Sequence, residues 1–147
     1  MIPQYLSPAF HLLEFSCHSG DSVPSASIPT LIFLVREVLQ PIRDEWNAPL
    51  IVVSGYRTPE WNQRVGGATT STHLFVDGAA GVDVRPVRLA EVAKLHAMIL
   101  AKQMRGELPE MGGLGEYPNW SHVDSRKLPS GRLRRWKGMG MGSEPLG

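Results

Sequence analysis

Two histidines and an aspartate, drawn from separate parts of the 147-residue chain, are the side chains best suited to hold a catalytic metal. His73 ends the segment 71–73, Asp83 follows ten residues later, and His122 begins the segment 122–124. Two imidazoles and one carboxylate form a protein ligand set of a catalytic zinc, whose fourth position stays open for water. Because isolated histidines are more often core or surface residues, this prediction depends on the motifs around them.

The first half of the chain contains a helix and a strand that can place an arginine at the site. Apolar residues recur at helical spacing over 28–46, and Pro41 is expected to kink or end the regular part of this helix. The run Leu-Ile-Val-Val at 50–53 predicts a buried strand. Since the strand leads directly into 54–57, we expect Arg57 at the edge of a cleft.

The second half of the chain alternates in the same way between strand and helix signals. A short strand is predicted over 82–86 and carries Asp83, and an amphipathic helix is predicted over 88–104. The glycines of 112–115 indicate a turn that feeds a pair of strands, of which 122–126 is the second. Asp83 and His122 are therefore both expected on strands.

Composition offers little support for charged polymers or membranes as partners. The chain has 15 basic and 14 acidic residues, a formal net charge of +1, and a single cysteine that excludes an internal disulfide. The basic run RLRRWK at 132–137 is a weak nucleic-acid signal, so we expect no nucleic-acid partner. No apolar run is long enough to span a bilayer, and the N-terminus lacks a secretion signal, which predicts synthesis in the cytoplasm.

Several motifs follow one another in a fixed order. They are Ser-Gly-Tyr-Arg at 54–57, Asn62 with Val-Gly-Gly at 65–67, Ser-Thr-His at 71–73 with Asp83, and Gly-Gly at 112–113 before His-Val-Asp at 122–124. Their order resembles the zinc D-Ala-D-Ala carboxypeptidase family, with the hedgehog/DD-peptidase fold, from about residue 10 to residue 136. The most similar subgroup contains stand-alone phage and prophage peptidases that act on peptidoglycan.

The resemblance implies a fold and a set of residue roles. We expect a single α+β domain over 1–137, with a small antiparallel sheet and flanking helices, followed by a flexible tail over 138–147. Zn²⁺ would be bound by His73, Asp83 and His122. By the same resemblance, Arg57 would steady the oxyanion or the terminal carboxylate of the substrate, and Ser71 would hydrogen-bond the peptide.

One departure from the family pattern concerns the aspartate ligand. The family usually places this aspartate seven positions after the histidine, whereas Asp83 stands ten positions after His73, so three residues are inserted within 74–82. Asp77 is the competing carboxylate. We favour Asp83 because it lies at the start of a predicted strand, while Asp77 stands beside Gly78 in a predicted loop.

The second departure concerns the general base. Relatives often place an acidic residue three positions before the last histidine, where this chain has Asn119, and an amide cannot accept a proton. Glu116, six positions before His122, is the predicted base by its spacing in hedgehog-type relatives. Asp124 would share a strand face with His122 and is predicted to orient that imidazole. The reverse assignment of these two carboxylates stays open.

These expectations combine into a functional hypothesis and an alternative. The chain is expected to be a zinc-dependent peptidase that hydrolyses peptidoglycan stem peptides, as a D,D-carboxypeptidase or as an endolysin-like endopeptidase. It would act as a monomer at the cell wall or in a phage particle. The alternative is a non-catalytic module, stabilised by zinc, that recognises wall peptides or a protein partner.

Overall fold

The structure, a computed structural model, describes residues 4–138 and the backbone of 143–146. The strands are β1 (Tyr5–Ser7), β2 (Phe10–His11), β3 (Leu50–Ser54), β4 (Gly81–Pro86), β5 (Gly113–Glu116), β6 (Ser121–Asp124), β7 (Arg134–Gly138) and β8 (Ser143–Leu146). The α-helices are α1 (Ile28–Leu34), α2 (Gln40–Trp46), α3 (Pro59–Arg64) and α4 (Val92–Met104). Single 3-10 turns occur at Leu12–Phe15, Ser25–Ser27, Thr72–Leu74 and Leu89–Glu91.

The strands form one main sheet and one small hairpin. β1 pairs with β2, and the other strands form a six-stranded sheet in the order β3-β4-β6-β5-β7-β8. Neighbouring strands in the main sheet are antiparallel except β5 and β7, which are parallel. A parallel pair needs a crossover connection, and residues 125–133 provide it. The predicted α+β class and single domain are confirmed, and the sheet is mixed because of this crossover.

The long helix predicted over 28–46 is present but changes its hydrogen-bond pattern in the middle. A π-helical turn, Val35–Leu39, separates α1 from α2. Pro41 lacks a backbone N–H, and in a regular helix its ring would meet the carbonyl of residue 37. The wider π turn accommodates this conflict without ending the helix. The helix ends at Asn47, which adopts the left-handed conformation with φ of 56°.

The hydrophobic core lies on one face of the main sheet. Fully buried apolar side chains of the long helix and of α4 belong to the same core cluster as inward-facing residues of β4, β5 and β6. Each such side chain stabilises the fold by roughly 1.5–3 kcal/mol through its removal from water. The sheet residues that contribute are Val82, Val84, Leu114 and Val123. Since strand side chains alternate between faces, their neighbours along each strand point to the other side.

The N-terminal segment supports the strand that precedes Arg57. Residues 5–20 contain the β1–β2 hairpin and the 3-10 turn Leu12–Phe15. The backbone N–H of Tyr56 donates to the carbonyl of Phe15 over 2.8 Å. A Cβ atom on Gly55 would lie 2.7 Å from the Cα of Phe15, so this close approach requires glycine. The contact fixes the backbone that carries the Gly55 carbonyl into the site.

The C-terminal segment is described in part. The backbone of β8 pairs with β7 in antiparallel register, whereas residues 139–142 and 147 lie outside the described residues. The expectation of a flexible tail over 138–147 therefore stays a prediction, although part of it is placed as a strand. Within the described part of the chain, no helix has both the length and the apolar character needed to cross a membrane.

Candidate active site

The free face of the main sheet brings together the three predicted metal ligands. Asp83 on β4 pairs directly with His122 on β6, and residues opposite each other in an antiparallel pair share a face. His73 lies in the 3-10 turn Thr72–Leu74, which packs against β4. The structure thus places the three side chains next to one another, although they are far apart in sequence.

The ligand atoms converge closely enough to hold one ion. His73 Nε2 lies 3.3 Å from Asp83 Oδ1, and His122 Nδ1 lies 2.9 Å from the same oxygen. One ligand atom from each residue lies within 4.8 Å of the others, and all three residues are buried. Two imidazole nitrogens and one carboxylate oxygen suit zinc, so the residues present fit a zinc ion.

The second nitrogen of each imidazole is held by another group. His73 Nδ1 donates to the Gly55 carbonyl over 2.8 Å, which leaves Nε2 directed at Asp83. His122 Nε2 donates to Asp124 Oδ2 over 2.9 Å, which leaves Nδ1 directed at Asp83. Such outer hydrogen bonds set the tautomer and the ring orientation of metal-binding histidines. The predicted orienting contact of Asp124 is therefore present.

Electrostatic coupling within the group is strong. Burial opposes ionisation of Asp83, but the charges and hydrogen bonds of His73 and His122 outweigh it and lower its pKa. Burial likewise favours a neutral His122, but its hydrogen bonds to Asp124 and Asp83 outweigh that effect and raise its pKa to about 9. The three buried side chains are thus coupled electrostatically as well as by hydrogen bonds.

The inserted residues between His73 and Asp83 form a tight loop that leaves the ligand group intact. Phe75, Asp77 and Gly78 all have positive φ, which turns the chain sharply before β4 begins. Asp77 is exposed, whereas Asp83 is 5% exposed and belongs to the ligand group. The structure therefore brings Asp83, and not the competing Asp77, to the two histidines.

Arg57 lies beside the ligand group, as expected from its position after β3. Its Nε donates to Ser54 Oγ over 3.3 Å, and its Nη1 donates to Asn62 Oδ1 over 3.2 Å. Its Nη2 lies 3.8 Å from Asp83 Oδ2. Gly67 lies against the Asn62 amide with no room for a side chain. Asn62, with Gly67 packed against it, thus supports the guanidinium.

Ser71 and Thr72, which precede His73, contact both their own 3-10 turn and the candidate site. Ser71 lines the cavity described below, and its Oγ accepts a hydrogen bond from the His73 backbone N–H over 3.2 Å, which caps the 3-10 turn. Its expected contact with the peptide substrate stays a prediction. Thr72, which the sequence did not single out, is buried and places Oγ1 3.2 Å from His122 Nε2.

Glu116, the predicted general base, lies on the opposite face of the sheet from the ligands. On β5 it pairs with Ser121, whereas His122 pairs with Gly115. Its carboxylate lies 4.0 Å from His96 Nε2 on α4 and 3.9 Å from Lys137 Nζ. Because strand residues alternate between faces, its side chain cannot reach the ligand group, and the structure contradicts the expected role.

Asp124 is the remaining candidate, and its oxygens are already engaged. Oδ2 accepts the hydrogen bond of His122, and Oδ1 accepts those of the Arg126 backbone N–H and the Arg134 guanidinium. Burial opposes its ionisation, yet these partners lower its pKa. The side chain is completely buried. Asp124 is thus a fixed anion behind His122, while Asn119 is exposed in the turn between β5 and β6.

A cleft of about 990 Å³ opens over the ligand group. Five arginines and only two aspartates of the described residues line it, and both aspartates are buried. The arginines are Arg57, Arg126, Arg132, Arg134 and Arg135. The cleft is therefore much more positive than a chain with a net charge of +1 would suggest, and it favours an anionic ligand.

Sequence reasoning missed several residues of the cleft wall, among them Tyr117, Arg134 and Trp136. The run at 132–137 was considered only as a basic segment. Its alternation of Arg134 and Trp136 could have indicated a strand with one face toward the site, as β7 proves to have. The register of β7 puts these two residues opposite Gly113 and Gly115, which are on the ligand face.

A buried His-Asp-His group at the floor of an open cleft defines the site of a metal-dependent hydrolase. A family model described as Peptidase M15 matches residues 8–124. The chain belongs to this family, whose members are metallopeptidases that usually use zinc. No curated protein matches the chain, and no solved structure does.

Proposed function

We propose that the protein is a zinc-dependent peptidase that hydrolyses peptide bonds in the stem peptides of bacterial peptidoglycan. The observation that carries the proposal is the buried group of His73, Asp83 and His122 at the floor of an arginine-lined cleft. The family match makes a metallopeptidase the expected class. The choice of peptidoglycan rests on the motif resemblance and on the positive charge of the cleft.

The chain's own residues would prepare the site in three ways. The ligand group would hold zinc through His73 Nε2, His122 Nδ1 and a carboxylate oxygen of Asp83. When bound, zinc supplies a Lewis acid and lowers the pKa of its water to about 7. Asp124 keeps the Nε2 proton of His122 in place. Arg57 presents a charged donor beside the group, where it can bind the oxyanion or a substrate carboxylate.

The charge of the cleft supports a substrate with free carboxylates. Arg134 is paired with Asp124, and Arg57 is near Asp83. Arg126 and Arg132 also line the cleft, and they form no side-chain ion pair with the described residues. Stem peptides carry several carboxylates, which such donors can bind at a distance from the reacting bond.

Digestion of purified peptidoglycan tests the proposal. We expect the zinc-loaded protein to release fragments whose masses correspond to cleavage of one type of peptide bond, and chelator treatment to stop the release. The fragments distinguish loss of a terminal D-alanine from cleavage of a cross-link. Binding to peptidoglycan without any release would favour the alternative, a zinc-stabilised binding module.

The outer arginines lead to a prediction about substrate affinity. Arg132→Glu reverses one charge of the cleft far from the metal ligands, so it should lower kcat/KM for a stem peptide about tenfold, mainly through KM. The loss should shrink at high salt, because exposed charges are screened. Arg88→Glu, an equal change at an exposed residue that does not line the cleft, is the matched control. An equal loss in both variants would contradict the prediction.

Asp124 and Glu116, the two carboxylates considered for the general base, lead to opposite predictions. Asp124→Asn should weaken zinc binding roughly 10–100-fold, because an amide is a poorer partner for the His122 ring. Glu116→Gln should keep both zinc and turnover within about a factor of two, since its side chain lies on the other face of the sheet. Zinc titration and turnover at saturating zinc measure both. A zinc-loaded but inactive Glu116→Gln would restore the original assignment of the base.

A further inference from the structure

Tyr117 stands at the edge of the cleft with its ring held in place. It begins the turn between β5 and β6, where its backbone N–H donates to the Trp120 carbonyl over 3.1 Å. Its ring stacks on that of Trp120, with centroids 5.0 Å apart and planes 18° from parallel. The ring therefore has little freedom to turn, and both aromatic residues line the cleft.

The hydroxyl of Tyr117 is linked to the metal-ligand group through one side chain. Trp136 Nε1 donates to Tyr117 Oη over 2.9 Å. The Trp136 ring in turn lies against the His122 ring, with centroids 5.2 Å apart. The phenol oxygen is thus held at a fixed place beside the side chain that contacts a ligand.

A glycine makes this arrangement possible. Gly115 on β5 pairs with His122 on one side and with Trp136 on the other. A Cβ atom at Gly115 would lie 2.6 Å from the indole ring, which is too close for any side chain. Because Gly115 has no side chain, the Trp136 indole can lie flat against the sheet. The indole N–H then reaches Tyr117.

The hydroxyl keeps a proton that can be donated into the cleft. Tyr117 Oη accepts the hydrogen bond of Trp136, and it donates to no group among the residues that the structure describes. Burial raises the pKa of Tyr117, and although the Trp136 hydrogen bond and Arg57 oppose this, the nearby charge of Asp83 adds to it. The phenol is therefore protonated at neutral pH, as it would be at its ordinary pKa of about 10.

Two donors consequently flank the ligand group across the sheet. Arg57 follows β3 on one side, and Tyr117 is hydrogen-bonded to Trp136 of β7 on the other. The strands that carry Asp83 and His122 lie between them. A peptide bond lying over the group would place its carbonyl within the reach of donors on either flank. Neutral donors aimed at a developing negative charge are a main source of rate in acyl transfer.

We propose that Tyr117 is a further catalytic residue, whose hydroxyl donates a hydrogen bond to the scissile carbonyl oxygen as that oxygen becomes negatively charged. The phenol keeps its proton throughout, and no covalent bond to it forms or breaks. Trp136 is a positioning residue that holds the phenol oxygen. The proposal rests on the proposed peptidase function, and it leaves Arg57 free to bind a substrate carboxylate.

Tyr117→Phe tests the proposal, because it removes the donor and keeps the ring stack on Trp120. With a stem peptide, we expect kcat to fall about 100-fold while KM, zinc content and melting temperature change little. Tyr5→Phe is the matched control, since Tyr5 is 64% exposed on β1 and does not line the cleft. An unchanged kcat in Tyr117→Phe would overturn the proposal.

A second measurement separates this proposal from the proposed function. A stem-peptide analogue with a tetrahedral phosphinate in place of the reacting amide mimics the transition state. We expect calorimetry to show about 100-fold weaker binding of it to Tyr117→Phe than to the wild type. If the wild type hydrolyses no wall peptide but the phosphinate binding still depends on Tyr117, the choice of wall peptides as substrate fails, while the hydrogen bond from Tyr117 to a tetrahedral oxygen is supported. Equal binding by both proteins would overturn the role of Tyr117.

Discussion

Asp83→Asn is expected to remove zinc binding and to lower peptide hydrolysis by more than about 1000-fold. The change keeps the size of the side chain but removes the charge that faces His73 and His122. A bound metal contributes several kcal/mol of transition-state stabilisation, and each 1.4 kcal/mol is about tenfold in rate. Zinc content measured by mass spectrometry and turnover of a stem peptide check the prediction.

The matched control is the same change at the competing aspartate. Asp77→Asn alters an exposed residue with φ of 56°, a conformation that asparagine tolerates well. It should keep zinc, turnover and melting temperature. Since metal binding stabilises the folded state, added zinc should raise the melting temperature of this control but not of Asp83→Asn. Loss of zinc in the control, with retention in Asp83→Asn, would reverse the choice of ligand.

Arg57→Ala is expected to lower kcat/KM by about 1000-fold while zinc stays bound. A charged donor forms hydrogen bonds roughly twice as strong as a neutral one, and removal of a single transition-state donor typically costs 100-fold or more. Zinc should stay because the Arg57 guanidinium lies 3.8 Å from Asp83, while the 2.8 Å bond from its backbone N–H to the His73 carbonyl is kept by alanine. Stem-peptide turnover, zinc content and thermal unfolding give the three readouts.

Arg57→Lys refines this test. Lysine keeps the positive charge but lacks the planar fork that Ser54 and Asn62 now hold. If the orientation of the guanidinium matters, Arg57→Lys should recover only a small part of the rate that Arg57→Ala loses. A fall in melting temperature that matches the loss of activity would instead identify Arg57 as a structural residue.

The grouping of two histidines and one aspartate could be predicted because their residue types and their order along the chain indicate a metal site. His73, Asp83 and His122 each lie in a local motif, and the strands around two of them have clear apolar alternation. The inserted residues did not change the choice of Asp83 over Asp77, because Asp83 lies at the start of a predicted strand. Local patterns of this kind can be read before any contact is known.

The position of Glu116 is an example of what local sequence patterns do not predict. Its distance from His122 in sequence says nothing about its face until the length of the β5–β6 turn fixes the register. The turn Tyr117–Trp120 sets Gly115 opposite His122, and a shift of one residue would have brought Glu116 to the ligand face. The sequence contains no strong signal that chooses between these registers.

The wall formed by β7 is a second example. Its parallel pairing with β5 depends on contacts between distant parts of the chain, which hydrophobic periodicity does not report. The basic residues of 132–137 were therefore interpreted only as a weak nucleic-acid signal. The pairing with glycines at 113 and 115, which leave space for Arg134 and Trp136, becomes visible only in the assembled sheet.

The crossover of residues 125–133 separates two parts of the site: the His-Asp-His group comes before it in the chain, and part of the cleft wall comes from it and from the strand that follows. The family match ends at residue 124, just after the last metal ligand, while much of the outer wall comes from the residues that follow. Because this loop is anchored at β6 and β7, its sequence can change between two fixed points. Evolution, or a protein engineer, could therefore exchange the loop to redirect the enzyme to another peptide and leave the metal ligands untouched.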